Sequence, residues 1–302
     1  MNNRKEWLEG RKSYLGGTDI ASICGTSKYK SPLDVYLSKT SDESEQEINP
    51  AMRWGSLLED DIATAYAEDT GFNIEIEPNV LFHPEHAFLG ANIDRWADDK
   101  KHVLECKTAG FMKAKDWGDE GTSQIPESYL VQVAWYAAIC DVDRVDIAVL
   151  IGGQDFRIYT YTRDKEFEEK LIKIAVNFWY NHVQKRIPPK CSNLSDTFNL
   201  FPIGNHKELT ASEHVNEKIK ELKIMKEQER SLQKSIDILK VEIQEFMQDY
   251  DVLLDNNGSI VATWKNSSPR ASFNLRQLKK ECQDIYLQYV NYAKQSRIFL
   301  IK

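Results

Sequence analysis

The sequence predicts an α/β fold followed by an α+β extension at the C-terminal end, and three observations support this. Short apolar segments have the length and composition of strands, at 88–93, 103–106 and 145–151. Helical patterns lie around and between these segments, at 53–66, 127–139 and 165–185. From residue 210 onward, a long helical pattern and a β-hairpin signal replace this alternation.

A change of pattern near residue 190 predicts a domain boundary. The segment Ile187-Pro188-Pro189 ends the last helical pattern of the first part, because proline cannot continue a helix. We therefore predict a first domain over residues 1–190, an irregular connector over 191–210, and a C-terminal module over 211–302.

The C-terminal module combines helical and strand patterns. Apolar residues step by three or four from Val215 to Phe246, which predicts either one long helix packing along a partner or a helical hairpin. The remaining patterns predict a β-hairpin over 252–265, a helix over 273–294 and a short strand over 297–302. With no visible catalytic set, the module is open to three roles: oligomerisation, partner docking or DNA contact.

Composition narrows the class of protein. The 302 residues carry a formal net charge of −8, which does not indicate nucleic-acid binding, although acids clustered at a metal site make net charge a poor guide. Five scattered cysteines without a CxxC pair argue against a disulfide framework and against a zinc or iron–sulfur site. No apolar run reaches the length of a membrane span and the first residues do not begin a signal peptide, so we expect a cytoplasmic protein.

The most informative residues for function are Asp94 and the segment Glu105-Cys106-Lys107. In a strand, Glu105 and Lys107 point to the same face while Cys106 points to the other. A turn at 98–100 would join two neighbouring strands and bring Asp94 beside Glu105. Hard cations such as Mg²⁺ bind through one or two carboxylates, so this arrangement suits phosphodiester hydrolysis. Two surface carboxylates and an exposed lysine would give the same pattern.

Two helical patterns offer further polar residues for such a site. Gln132 is the polar residue in an apolar helical stretch, with Tyr136 one turn further on the same face. A buried glutamine needs hydrogen-bond partners, either in the core or at a water or phosphate. On the upstream helix, Glu59 lies beside the apolar stripe of Leu58 and Ile62, where it either faces the same site or is solvated.

In chain order, these motifs resemble those of the PD-(D/E)XK nucleases: Gly55-x-x-x-Glu59, Asp94, Glu105-x-Lys107 and Gln132-x-x-x-Tyr136. The first domain is more narrowly similar to the lambda-exonuclease and YqaJ-type viral recombinase group. That group has an arginine followed seven residues later by Ser or Thr, as Arg11 and Thr18 do here. Ile93 stands where the proline that names the superfamily would be.

The resemblance implies a mixed central sheet flanked by helices and a role for each motif residue. Asp94, Glu105 and the main-chain carbonyl of Cys106 would bind the metal, with Glu59 contacting it directly or through water. Lys107 would hold and help activate the attacking water, and Gln132 would position that water or the scissile phosphate. The expected cofactor is Mg²⁺, with Mn²⁺ as an alternative and two ions per site.

A second group of residues is expected to contact DNA. The resemblance places a terminal phosphate at Arg11 and Thr18, where the arginine fork suits phosphate oxygens and Gly16-Gly17 precedes a predicted helix start. An ordinary turn and helix cap would explain the two glycines equally well. We also expect Tyr136 at the substrate, and a loop over 110–128 covering the scissile strand through Lys113, Lys115 and Trp117, with the tryptophan stacked on a base.

The predicted function is a Mg²⁺-dependent exonuclease that degrades the 5′-ended strand of linear double-stranded DNA. The resemblance implies a 3′ overhang for a single-strand annealing partner, a homo-oligomer with a trimer as the expected order, and the host cytoplasm as location. Two alternatives stay open: a PD-(D/E)XK endonuclease of restriction or repair type, and a non-catalytic DNA-binding scaffold. An internal cutter has no need of the Arg11 and Thr18 pocket, and a scaffold has no need of the catalytic set.

Overall fold

The computed structural model describes residues 9–41, 49–292 and 296–301. The described residues up to Leu200 form one compact unit, and those from Phe201 onward form a second. This division falls inside the predicted connector at 191–210. The connector is less irregular than expected, because Leu194–Leu200 is helical and the Asn193 side chain accepts a hydrogen bond from a backbone N–H of its first turn.

The first unit is built on a five-stranded mixed sheet. Its strands, in spatial order, are β1 (Ile74–Glu75), β4 (Arg95–Ala97), β5 (His102–Ala109), β6 (Arg144–Ile151) and β7 (Asp155–Thr162). Strands β5 and β6 run parallel, whereas the other neighbours are antiparallel. A separate pair is formed by β2 (Leu81–Phe82) and β3 (Gly90–Ala91). The mixed central sheet of the predicted α/β fold is confirmed.

Helices flank this sheet on both faces. In chain order they are α1 (Gly17–Ile23), α2 (Pro32–Thr40), α3 (Pro50–Thr70), α4 (Glu127–Cys140) and α5 (Lys165–Phe178), followed by α6 (Leu194–Leu200). Parallel strands need a crossover connection, and α4 supplies it between β5 and β6. The helical patterns expected around 53–66, 127–139 and 165–185 are confirmed, the last because a π-helical segment, Trp179–Gln184, continues α5.

The alternation of side chains along β5 divides the core in two. Val103 belongs to the larger cluster, which includes the buried residues of α1 and α4. Leu104 belongs to the smaller cluster, which includes Ile62 and Tyr66 of α3. Because successive strand residues point to opposite faces, β5 is buried on both sides. Polar residues on this strand are consequently held in a largely water-excluded setting.

The turn between β4 and β5 fixes the position of Asp94. Residues 98–100 all have positive φ, and the backbone carbonyl and side chain of Asn73 accept hydrogen bonds from two of the turn's N–H groups. These bonds stabilise a left-handed backbone that side chains otherwise disfavour. The register pairs Arg95 with Leu104, so Asp94 lies beside Glu105 at the same end of the sheet.

The second unit contains one long helix rather than a helical hairpin. Its elements are α7 (Glu213–Met247), the hairpin β8 (Val252–Leu254) and β9 (Ile260–Thr263), and the short helices α8 (Leu275–Glu281) and α9 (Gln283–Tyr289). The predicted helix over 273–294 is wrong as a single element, because Cys282 has φ −134° and ψ 59° and interrupts it. Its end lies outside the described residues.

The predicted final strand over 297–302 is also wrong. Its described residues, 297–301, are irregular and belong to none of the sheets in the described chain. Arg297 instead donates to the carbonyl of Phe201. A strand needs a neighbouring strand that pairs with its backbone N–H and C=O groups. The contact of Arg297 with Phe201 uses a side chain and supplies no such backbone pairing. Among the described helices, none is long and apolar enough to cross a membrane.

A buried polar network fastens α3 to the sheet. Asp146 is fully buried on β6 and accepts hydrogen bonds from the Tyr66 hydroxyl at 2.6 Å, from Thr160 at 2.8 Å and from both sides of the Arg144 guanidinium. The Tyr66 hydroxyl also lies 2.9 Å from Nε2 of His102. A buried charge is tolerated when its hydrogen bonds are satisfied in this way.

Replacing Tyr66 by phenylalanine tests this network. Tyr66→Phe removes one donor to the buried Asp146 carboxylate, so we expect the free energy of unfolding to fall by about 1.5–3 kcal/mol. Urea unfolding monitored by circular dichroism measures the change. The matched control is Tyr29→Phe, whose residue is 85% exposed and which should change stability by less than about 0.5 kcal/mol. Equal effects of the two substitutions would contradict the role given to the network.

Candidate active site

The structure brings together the acidic and basic residues expected at a catalytic site. Asp94 accepts a hydrogen bond at 2.7 Å from the backbone N–H of Cys106, which locks it against β5. Glu105 is 3% exposed, and its Oε1 atom accepts hydrogen bonds from Lys107 and, at 2.7 Å, from Gln132. The alternative that these carboxylates lie on the surface is therefore wrong for Glu105.

The second carboxylate oxygen of Glu105 is unusual. Oε2 is buried and has no hydrogen-bond partner among the described residues. Buried polar atoms nearly always have a partner, since leaving one without costs free energy. An unpaired oxygen in this position is suited to bind a ligand.

Charge in the cluster changes the pKa of its members. Burial, and then the neighbouring Glu105 carboxylate, raises the pKa of Asp94 to about 7. For Lys107, burial alone would lower the pKa, but the carboxylates of Glu105 and Asp94 outweigh it and hold the pKa above its usual range. Lys107 is consequently an ammonium at neutral pH, whereas Asp94 is poised between its two protonation states.

The side chain of Gln132 is fixed by contacts with its own helix, α4, and with α1. Its Nε2 group donates to Glu105 and, at 2.8 Å, to the Tyr136 hydroxyl. A Cβ added at Gly17 would lie 2.9 Å from the Cγ atom of Gln132 and 3.1 Å from the Tyr136 ring. Glycine at position 17 therefore permits the close approach of α1 to α4 and sets the side chain of Gln132.

Glu59 reaches the cluster from the opposite face of the sheet. It lies on α3 and accepts a hydrogen bond from Nη1 of Arg95 at 2.9 Å. Burial and the charge of Asp94 raise the pKa of Glu59, with Arg95 acting in the opposite sense. Sequence reasoning missed Arg95, although its position directly after Asp94 was a signal. The arginine orients Glu59 toward the end of the sheet where Asp94 lies.

Arg11 and Thr18 are in contact, as their proposed shared role requires. Nη2 of Arg11 donates to the Thr18 hydroxyl at 3.3 Å and lies 3.8 Å from a carboxylate oxygen of Asp19. Lys39 is buried and donates both to that oxygen, at 2.8 Å, and to the Arg11 carbonyl, at 2.7 Å. The pair of Asp19 and Lys39 thus supports the short 3₁₀ helix, Arg11–Ser13, that presents Arg11.

Asp19 and Lys39 were missed by sequence reasoning. Burial favours the neutral form of Asp19, but Lys39 and Arg11 outweigh burial and hold the pKa of this carboxyl below its usual range. One signal was available, because Lys39 lies three residues after Tyr36 on the buried face of α2. A charged residue on an apolar helix face predicts a buried partner, and Asp19 is that partner.

The expected base stacking by Trp117 is wrong. Residues 111–116 form a 3₁₀ helix, after which Trp117 enters the core with 5% exposure. Its ring packs against those of Tyr129 and Tyr159, with centroids 5.5 Å and 5.1 Å away. Aromatic rings that bury this much surface are core anchors, and no face of the indole is open to a base.

The other expected DNA contacts divide into buried and exposed residues. Tyr136 is buried beneath Gln132, so the direct substrate contact assigned to it is also wrong. Burial and the two nearby carboxylates raise the pKa of Tyr136, so its hydroxyl stays neutral and serves to position Gln132. Lys113 and Lys115 are exposed on the 3₁₀ helix, and their contact with DNA stays a prediction.

The donors at the end of the sheet fit a hard divalent cation. Two carboxylates, Asp94 and Glu105, lie together with the unpaired Oε2 atom, and one or two carboxylates are what Mg²⁺ typically uses in proteins. Across the described residues, no three or more His, Cys, Asp or Glu side chains converge on one point. Glu59 is near enough to Asp94 for that charge to raise its pKa, but its hydrogen bond is with Arg95.

Comparison with known proteins finds a matching family model and a relative that matches over most of the chain. The family model of the YqaJ-like viral recombinase domain matches residues 6–143. Over 297 residues the chain is 32% identical to the protein YqaJ of Bacillus subtilis (strain 168), which covers 94% of this chain and 90% of that protein.

The chain is also similar to two solved structures. LHK-Exo, an alkaline exonuclease from Laribacter hongkongensis, is 18% identical in its complex with dAMP, with a TM-score of 0.49 over 61% of this chain and 94% of that one. A phage related exonuclease from Haemophilus somnus 129PT is 14% identical, with a TM-score of 0.41 over 57% of this chain and 96% of that one.

The raised pKa of Asp94 predicts a specific pH dependence of stability. Its pKa is about 7 in the folded chain and about 4 when unfolded, so the folded state binds the proton more tightly. This contribution is complete below the unfolded pKa and is lost as pH rises through 7. In EDTA, we expect the free energy of unfolding of the wild type to fall relative to Asp94→Asn from about pH 5 to about pH 8. A constant difference across that range would contradict the assigned pKa.

Proposed function

The chain belongs to the YqaJ-like viral recombinase family, and from this premise and the geometry of the site we propose that it is a metal-dependent deoxyribonuclease. More closely, it is a 5′-to-3′ exonuclease that degrades one strand of linear double-stranded DNA. The observation that carries the proposal is the convergence of Asp94 and Glu105 beside the Lys107 ammonium, with Oε2 of Glu105 left unpaired.

Asp94, Glu105 and the backbone carbonyl of Cys106 would hold the divalent ions, with Glu59 contacting them directly or through water. Bound there, Mg²⁺ would lower the pKa of a coordinated water and neutralise charge on the phosphate. Mn²⁺ is the alternative, with two ions per site. The unpaired buried oxygen and the mutual repulsion that raises the pKa of Asp94 both support a cation at this position.

The protein's own residues orient the reacting groups. Lys107 is charged and donates to Glu105, so it is placed to hold an attacking water and to offset negative charge on the phosphate. Gln132 donates to the same carboxylate and is held by Tyr136 and Gly17, so it supports the orientation of Glu105 and of the water. Because these groups are fixed before substrate arrives, little reorganisation is needed during hydrolysis.

Arg11 and Thr18 would receive the terminal phosphate of the 5′-ended strand. The arginine offers charged donors, and the threonine adds a hydroxyl at 3.3 Å from it. A pocket for a strand end supports an exonuclease over an endonuclease, since an internal cutter has no terminal phosphate to bind. Lys113 and Lys115 would contact the DNA backbone from the 3₁₀ helix.

The reaction would leave a 3′ overhang for recombination. Its partner would be a single-strand annealing protein in the host cytoplasm, and the nuclease would act as a homo-oligomer. Strand removal would produce the 3′ overhang, and an annealing protein would act on that overhang. A partner of this class therefore fits the proposed activity.

A comparison of DNA substrates tests the proposal. We expect Mg²⁺-dependent loss of one strand from linear duplex DNA, faster with a 5′-phosphate than with a 5′-hydroxyl, and none in EDTA. A covalently closed circle should stay intact. Cutting of the closed circle would identify an endonuclease instead, and binding without hydrolysis of any substrate would identify a scaffold.

Variants assign the two parts of the site in the same assay. Glu105→Ala should fold and lose hydrolysis, because it removes a proposed metal ligand and also relieves the repulsion between the Glu105 and Asp94 carboxylates. Arg11→Ala should reduce the preference for the 5′-phosphate while leaving hydrolysis measurable, and the adjacent Lys12→Ala is its control, since Lys12 pairs with Glu9. An unchanged phosphate preference in Arg11→Ala would contradict the terminal-phosphate pocket.

A further inference from the structure

Helix α7 carries a seven-residue repeat that the proposed nuclease activity does not use. The helix has 35 residues and is about 52 Å long. Its repeat consists of two lines of residues seven apart: Val215, Leu222, Glu229, Ile236 and Ile243 form the first, and Lys218, Met225, Leu232, Leu239 and Phe246 form the second. Together these ten residues define the seam of α7. Eight of the ten are apolar.

The seam is exposed along most of its length. Leu232, Leu239 and Phe246 all have more than half of their surface accessible. A helix in a protein takes most of its stability from packing its apolar face, and an exposed apolar surface of this length marks an interaction site. The seam therefore needs a partner surface of matching length and shape.

The spacing identifies that partner as another helix with the same repeat. Apolar residues that recur every 3.5 residues wind two or more helices around each other, each side chain entering a gap on the facing helix. Val215, Ile236 and Ile243 are β-branched and occupy the first line, whereas leucine occupies two positions of the second. This combination favours two parallel strands.

Charges beside the seam support a parallel pairing of identical chains. In a parallel pair in register, Glu221 of one copy faces Lys226 of the other, and the two-fold symmetry produces this opposite-charge contact twice. In the single chain Glu221 instead pairs with Lys218 at 2.8 Å, but both side chains are more than half exposed. Such an exposed pair contributes little and can be exchanged.

We propose that α7 joins two copies of this chain in a parallel, two-stranded coiled coil. The interface needs no residue of the nuclease site and does not depend on the proposed activity. The proposal concerns α7 alone, where β-branched residues on the first line of the seam disfavour a third strand.

The particle mass of the full-length protein, measured by light scattering after gel filtration, tests the pairing. Leu239→Glu places a charge in the seam, and we expect it to halve the mass of the wild-type particle. The matched control is Ile238→Glu, which introduces the same side chain at the preceding residue; Ile238 is 60% exposed against 58% for Leu239 but lies outside the seam. This control should keep the wild-type mass. A wild type with the mass of one chain, a fall to one third, or equal loss in both variants would overturn the proposal.

Cross-linking tests the orientation without a destabilising charge. Glu229→Cys places a thiol in the first line of the seam, where it faces its own copy in a parallel pair, whereas Ser231→Cys points away. In a Cys282→Ser background, which removes the exposed native thiol, mild oxidation should convert Glu229→Cys, but not Ser231→Cys or the parent chain, into a disulfide-linked pair of chains. Absence of that product at a concentration where the particle is an oligomer would overturn the parallel arrangement.

Discussion

The active site depends on placing one carboxylate, that of Glu105, in the interior of a mixed sheet. The strand that carries it is covered on both faces, so Glu105 is 3% exposed, and one of its oxygens has no hydrogen-bond partner within the described part of the chain. Asp94 is held beside it by the Cys106 N–H group. Two carboxylates this close disfavour each other's charge, and the structure supplies Lys107 and Gln132 as partial compensation. The remaining deficit is what a divalent cation would satisfy.

The rest of the first unit is organised around that arrangement. Gln132 arrives from α4 on one face and Glu59 from α3 on the other, so the site forms beside the middle of β5, at the point where β4 begins. Helix α3 is fastened to the sheet through Tyr66 and Asp146, whereas α1 approaches α4 closely because residue 17 is glycine. Arg11, which contacts Thr18 of α1, also lies close enough to Tyr136 of α4 to act on its pKa. Distant parts of the sequence are therefore coupled to one carboxylate.

Much of the arrangement of the site could be predicted from the sequence, because it depends on the spacing of residues that are close together in the chain. The two-residue step from Glu105 to Lys107 fixes a shared strand face, and the turn at 98–100 fixes the neighbour of that strand. Trp117 was mispredicted because its environment depends on contacts with Tyr129 and Tyr159, which lie on other elements. Adjacent lysines suggested a solvent-facing loop, but burial of a large ring outweighs such a local signal.

The second class of missed features concerns charges buried by tertiary structure. Lys39 was not assigned, since its partner Asp19 is twenty residues away and only packing of α2 on α1 brings them together. Periodicity also left one helix or a hairpin open for residues 210–250. The structure has one uninterrupted helix, α7. The seven-residue spacing is kept on both sides of Glu229, although Glu229 itself is not apolar.

Binding of Mn²⁺, measured by electron paramagnetic resonance, tests most directly whether Glu105 and Asp94 form a cation site. Mn²⁺ is a spectroscopic probe for a Mg²⁺ site, and folded wild-type protein is predicted to bind it while Glu105→Gln binds far less. Glu168→Gln is the matched control, because Glu168 is also 3% exposed but pairs with Arg163 away from the site. Equal binding by the wild type and Glu105→Gln would contradict the account.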